Sequence, residues 1–167
     1  MTELNTETLD SPTGQIVIVY VGDKVCAFDY ADYTERTNQL LQRRYQKFQL
    51  RKVSRKSGVT KQLKAYLAGA LDAIDTIAVD LGGTSFQQRV WTALRRIPSG
   101  TTRTYSEVAT QLGTPRAYRT VGAANALNGI AIIVPCHRLV SANGALTRYA
   151  GGLERTEWLL RHEGCHV

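Results

Sequence analysis

Cys136 and His137 stand side by side in the run Ile132-Ile133-Val134-Pro135-Cys136-His137-Arg138-Leu139-Val140. Apolar residues lead in, a proline interrupts them, and an apolar pair leads out. Proline fixes its own φ and lacks a backbone donor, so it marks a strand end or a turn, not a strand interior. Cys136 is therefore expected at a bend where buried chain meets an opening. A thiol there reacts if its pKa is lowered, and a neighbouring imidazole is the commonest device. The same pattern also fits a buried structural cysteine with a chance histidine neighbour, because free cysteine is among the most buried residue types.

The elements that must hold this bend begin with a hairpin. Thr13-Gly14-Gln15 opens the β-branched run Ile16–Val21, Gly22-Asp23-Lys24 reads as a turn, and Val25–Tyr30 is the partner strand. Cys26 falls inside that strand and is expected to pack there. Residues 33–48 carry Leu40, Leu41, Tyr45 and Phe48 at helical spacing. Residues 51–58 read as a basic loop, 59–70 as a second helix bearing Leu63, Tyr66 and Leu67, and 74–81 as a short extended segment ending at Gly82-Gly83. A first domain, residues 1–83, is a small α/β unit in which no chemical constellation is visible, so a scaffold role is expected.

A second domain, residues 84–167, opens on the N-cap residues Thr84-Ser85. Phe86, Val90, Trp91, Leu94 and Ile97 follow at i, i+4, i+5, i+8 and i+11, one apolar face of a helix running to about Arg96. Pro98-Ser99-Gly100 ends it. Thr104-Tyr105-Ser106-Glu107 is a capping-box pattern that starts a short helix. Gly113-Thr114-Pro115 then makes a turn before a helix from about Pro115 to Asn128. Helix, glycine-containing turn and helix form the helix-turn-helix outline, a weak signal alone. Wound at 100° per residue, Ala117, Val121 and Ala124 fall on one face, expected inward. Arg116, Arg119, Thr120 and Ala123 cluster opposite. Small residues with two arginines let a backbone approach a narrow groove closely; two solvated arginines on an exposed face would give the same pattern.

Charge points the same way. The net charge is +7; residues 84–167 hold ten arginines, no lysine and four acids, and residues 36–71 hold ten Lys or Arg and no acid. Such surfaces favour polyanions, and arginine suits phosphate contact and base stacking. A merely solubilising surface would give the same balance, and the 36–71 run is expected to add auxiliary contacts to a nucleic acid. The 167 residues, 43% hydrophobic and 21% charged, suffice for one good core or two small ones leaning together. No run of 18 apolar residues spans a membrane, and the polar, acidic Met1–Asp10 is no secretory signal. Three cysteines without a CxxC pair argue against a disulfide framework and for a reducing compartment. All three histidines lie at or after position 137 without zinc spacing. No metal and no cofactor are expected.

The cysteine run, with Ile-Val-Pro-Cys-His-Arg-Leu-Val at its heart, resembles the active-site motif of the O6-alkylguanine-DNA alkyltransferases. Ala145-Leu146-Thr147-Arg148-Tyr149-Ala150-Gly151-Gly152-Leu153, Glu157-Trp158-Leu159-Leu160-Arg161-His162-Glu163-Gly164, and Phe86 to Asn128 resemble the family as well. The likeness is specific over about residues 84–164 and looser before. It implies a ribonuclease-H-like N-terminal α/β domain and a mainly α, winged-helix-like C-terminal domain with the helix-turn-helix. It implies that the protein binds double-stranded DNA through the minor groove, flips an alkylated guanine out, and moves the alkyl group once to Cys136. By resemblance His137 is the base, acting through a water, Glu163 orients it, and Asn128 braces the turn. Arg119 matches the arginine that replaces the extruded base, and Tyr105 the tyrosine near the target's phosphate and base, donating to the leaving guanine. Leu139 and Ala150 read guanine through backbone groups, with Tyr149 as a wall. Arg138 is expected to be structural or electrostatic.

There are departures from the family pattern. Thr147 and Arg148 stand where relatives often have small residues, Ala131 where some have proline, and Asn125 where an apolar residue often lines the pocket. A narrower, more polar pocket follows. Some relatives carry a zinc site in the first half, where this chain has no histidine. A monomer is expected, with cooperative loading on DNA left open; the location is cytoplasmic (nucleoid) in a prokaryote or nuclear in a eukaryote. The main alternative is a non-enzymatic alkylated-DNA-binding protein that recruits other repair factors, although such family members lack the cysteine. A cysteine hydrolase fits the residue types but not the arginine-bearing helix.

Overall fold

The computed structural model describes residues 1–53, 57–146 and 152–166. A four-stranded mixed sheet in the order β3-β2-β1-β4 forms the first part: β1 (Thr2–Leu9), β2 (Ile16–Val21), β3 (Lys24–Tyr30) and β4 (Phe48–Lys52). The hairpin β2–β3 is where the sequence places it, with Ile16 opposite Tyr30 and Ile18 opposite Phe28. β1 was not expected, because its polar residues look like a solvated terminus. Leu4 and Leu9 nevertheless point inward, and the buried Glu7 carboxylate accepts hydrogen bonds from the Tyr20, Ser57 and Thr60 hydroxyls. A buried acid persists only when its lone pairs are filled this way.

Helix α1 (Thr34–Tyr45) is shorter than its apolar spacing predicts. Gln46 takes a left-handed conformation (φ 57°), and the chain turns straight into β4, parallel to β1 with Phe48 opposite Thr2. Phe48 thus belongs to a strand, and Arg51 and Lys52, read as loop, end it. Helix α2 (Gly58–Leu67) buries Thr60, Leu63 and Tyr66. The 74–81 segment is mostly turns; within it Val79 alone bridges Val25. Lacking a full partner strand, its apolar residues Ile74 and Ile77 fill the core instead.

The second part is mainly helical. α3 (Ser85–Arg95) begins with a complete capping box between Thr84 and Gln87 and buries Val90, Trp91 and Leu94, as its periodicity requires. The short strand β5 (Arg103–Thr104) leads into α4 (Tyr105–Gln111), whose capping box between Thr104 and Glu107 is also complete. Each cap contributes about 1 kcal/mol. After a turn containing Gly113 (φ 80°), α5 runs from Tyr118 to Ala126, shorter than the sequence predicts. Residues 115–117 are turn, closed by Ala117 N–H on the Thr114 carbonyl (2.8 Å). A 3-10 turn (Cys136–Arg138), β6 (Leu139–Val140) and α6 (Leu153–His162) complete the chain.

One continuous hydrophobic core joins the two parts, taking Ile16, Phe28 and Tyr66 from the first and Trp91, Val121, Ile130 and Leu159 from the second. Phe28 bridges Ile130 across the junction, and Arg155 of α6 lies over the Tyr30 ring (3.8 Å) while pairing with Asp32 (3.0 Å). Among the described residues, no helix is long and apolar enough to cross a membrane.

Candidate active site

Two short strands set the site. β5 pairs in parallel with β6, Arg103 opposite Leu139 and Thr104 opposite Val140. β5 runs into α4 at Tyr105 and β6 leaves the Cys136 turn, so the pairing ties the chain that enters α4 to the chain that leaves the cysteine turn. The bend at Pro135 is real: Cys136 opens a single 3-10 turn and is buried. Two residues earlier than the proline, Ile133 follows Ile132, a buried β-branched residue held at φ 68°. Left-handed backbone at such a residue costs about 1–3 kcal/mol and persists only where packing enforces it.

Asn128 does the bracing at the level of atoms. Its Nδ2 donates to the Val134 carbonyl (2.9 Å) and its Oδ1 accepts from Ile130 N–H (3.0 Å), tying off the loop that carries the cysteine. Arg36 secures the same loop from α1, donating to the carbonyls of Ala126 and Asn128 while pairing with the buried Asp29 (3.2 Å).

Glu163, the residue that caps α6, is buried and saturated. Its Oε2 accepts from His137 Nε2 (2.9 Å), Arg138 Nη2 (2.9 Å) and the Tyr66 hydroxyl (2.6 Å); its Oε1 accepts from Arg138 Nε (2.9 Å). Burial works to raise its pKa, but the bonds from His137 and Arg138 prevail and hold the carboxyl well below the usual carboxylate range. Arg138 is itself fully engaged, with Nη1 on the Ile97 carbonyl (2.6 Å) and Nη2 on Ser99 Oγ (2.9 Å).

His137 is completely buried, and that burial lowers its pKa against the pull of Glu163. The ring is therefore neutral near neutral pH. A carboxylate can only accept, so Nε2 carries the proton and Nδ1 keeps its lone pair. Nδ1 is buried and has no protein partner among the described residues. One ring nitrogen is thus anchored, and the other presents a lone pair.

The thiol corrects the first expectation drawn from its sequence neighbours. Burial pushes Cys136 up to about 12, against smaller lowering by Asn128 and Arg36. Histidine adjacency does not produce a resting thiolate, because desolvation of a fully enclosed sulfur outweighs it.

The face of α5 is arranged as its winding predicts: Val121 and Ala124 are buried, whereas Arg119, Thr120 and Ala123 are exposed; Arg116, expected on the same helix face, is exposed in the turn before the helix. Ala117, expected inward, is half-buried at the helix start. Trp91 Nε1 donates to the Ala124 carbonyl (2.9 Å) and fixes the helix to α3. Tyr105 is half-buried beside Gly122. Leu139 and Asn125 are buried, the latter with an Oδ1 that has no protein partner among the described residues. Tyr149 and Ala150, with Thr147 and Arg148, lie outside the described residues. Of the basic run, Arg36, Arg44 and Arg51 are in ion pairs with Asp29, Asp80 and Glu3. Sequence reasoning missed Tyr66, whose helical spacing shows only that it faces a core.

Fold and site define a class: a mixed α/β part joined to a mainly helical part that carries an enclosed cysteine beside a carboxylate-anchored histidine. Residues 85–165 match the family described as "6-O-methylguanine DNA methyltransferase, DNA binding domain". The Shigella flexneri methylated-DNA--protein-cysteine methyltransferase is 45% identical over 167 residues, 98% of each chain. The crystal structure of Mycobacterium tuberculosis O6-methylguanine methyltransferase superposes with a TM-score of 0.79 at 41% identity, covering 96% of this chain and 92% of that one. The same mycobacterial protein in complex with DNA gives 0.77 at 39% identity, covering 95% and 92%. This chain belongs to the methylated-DNA--protein-cysteine methyltransferase family.

Proposed function

We propose that this protein repairs O6-alkylguanine, chiefly O6-methylguanine, in double-stranded DNA by moving the alkyl group irreversibly to its own Cys136. The observation that carries the reading is the anchored imidazole on the cysteine's own turn: Glu163 holds His137 by one nitrogen, and the other has no protein partner among the described residues. The Cys136 proton passes to Nδ1 of His137 through a water as sulfur attacks the alkyl carbon. The S–C bond forms, the C–O6 bond breaks, and the electron pair returns to guanine, to which Tyr105 donates a proton. A thioether does not release its alkyl group, so each molecule acts once.

Residues 1–83 serve as a ribonuclease-H-like scaffold and 84–167 as a winged-helix-like DNA-binding and transfer unit. Asn128 braces the cysteine loop. Arg116, Thr120 and Ala123 line the minor groove, and Arg119 fills the space left by the extruded base. Backbone groups of Leu139 and Ala150 read guanine against the wall of Tyr149. The bacterial relatives and the DNA substrate favour a cytoplasmic, nucleoid location. The test is stoichiometry: with excess duplex carrying O6-methylguanine, product should plateau at one guanine restored per protein. Continued turnover, or tight lesion binding with no methyl gained, would overturn the reading, the latter in favour of a recognition-only protein.

Base extrusion from a stacked duplex costs a few kcal/mol, and Arg119 offsets part of it. Arg119→Ala should slow transfer from duplex by on the order of ten- to a hundredfold, and from single strands far less. Equal slowing on both substrates would remove Arg119 from this role. The buried amide of Asn125 also makes the alkyl pocket polar. O6-methylguanine should therefore outpace O6-benzylguanine; comparable transfer rates would sink that idea.

A further inference from the structure

Tyr66 is the point where the first part of the chain touches the chemistry. It lies on α2, fully buried, and its hydroxyl donates to Glu163 Oε2 across 97 residues of sequence. Its ring and backbone are pinned independently. His162 packs edge-on against the ring (5.2 Å, 74°), its Nε2 donates to the Tyr66 carbonyl (2.7 Å), and it stacks on Trp158 (4.9 Å, 17°). Packing explains the ring but not the oxygen, since phenylalanine would fill the same core. The oxygen's partner is the atom that also holds His137.

We infer that Tyr66 is a positioning residue for the alkyl transfer, occupying one acceptor site of Glu163 Oε2 and so setting how strongly that carboxylate holds His137. The inference rests on the function proposed above. A carboxylate oxygen shared among several donors is a weaker acceptor for each. Tyr66 draws charge from Oε2, so the carboxylate pulls the imidazole less strongly toward its protonated form. Without the hydroxyl, Glu163 becomes more basic and stabilises the imidazolium, which cannot accept the thiol proton. The charged and titratable groups around the pair are His137 and Arg138 on the cysteine turn, Cys165 beyond α6, and Tyr30 and His162 against the Tyr66 ring. Asp29 and Arg36 act on Cys136 from the other side. Tyr66→Phe leaves all of them in place.

Methyl transfer from an O6-methylguanine duplex should be followed from pH 5 to 9 in the full chain, alongside duplex affinity. Tyr66→Phe should slow transfer at neutral pH about tenfold, the effect of losing one hydrogen bond to a charged group. The acid limb of its profile should move to higher pH, with duplex affinity unchanged. A rate and limb that superimpose on wild type, with only thermal stability lowered, would show a purely structural tyrosine and overturn the inference. Should Tyr66→Phe fail to fold, 3-fluorotyrosine placed at position 66 alone tests the same point. Its more acidic phenol is a stronger donor, so the acid limb should move to lower pH, and an unmoved limb counts against the inference. If wild type itself gains no methyl, the proposed function has failed rather than the role of Tyr66.

Discussion

Cys136→Ala is expected to abolish methyl uptake while leaving lesion binding in place. In intact-protein mass spectra, wild type mixed with an O6-methylguanine duplex should gain one methyl group, and the variant none. The effect is complete because no other thiol is placed to substitute. Cys26 is enclosed in β3 and Cys165 lies beyond α6, neither on the turn that carries His137. The fold should survive, since removing one buried sulfur leaves a small cavity costing about 1–2 kcal/mol. Binding should persist because the exposed face of α5 is untouched. A methyl gain retained by the variant would assign the chemistry to a different nucleophile.

Glu163→Gln is expected to be the most destabilising single change in the site. It removes the negative charge facing Arg138, whose side chain is 3% exposed, and sets an amide donor against groups that already donate. Leaving one member of a buried pair uncompensated typically costs about 3–5 kcal/mol. Urea unfolding at pH 7 should show the loss as a lowered midpoint with a similar slope. The pH dependence has a definite sign. The folded-state pKa of Glu163 lies below its unfolded value of about 4.3, so its contribution is fully present above that pH and fades as pH falls below it. The gap between wild type and variant should therefore narrow below about pH 4. A gap that is constant down to pH 2.5, or absent at pH 7, would contradict the buried-charge account.

The elements most legible in the sequence were those written in local code. Thr84 announces its helix as an N-cap residue, Thr104 through Glu107 three positions on, and β2–β3 through β-branched strands around a glycine turn. The exposed side of α5 follows from winding alone. What could not be read depends on pairing over distance. β1 looks like a polar terminus until Ser57 and Thr60 of α2 and its approach satisfy Glu7, and β4 looks like a basic loop until β1 lies beside it. Cys136 and His137 were visible as a pair, yet the state of the thiol was not, because it depends on enclosure rather than on its neighbour. Tyr66 was seen as core and nothing more, since the carboxylate that gives its oxygen a purpose lies in another helix.

That enclosure decides how the molecule spends its idle time. A reagent that works once must keep until it is needed. Burial pushes the thiol up to about 12, so little thiolate is present near neutral pH. Peroxide, stray alkyl donors and other disulfides all require the thiolate, so each finds almost no target. On the function proposed above, reactivity is conferred at the moment of encounter, when the flipped base brings the electrophile to the sulfur and His137 takes the proton. The buried cysteine turn is in this sense a seal.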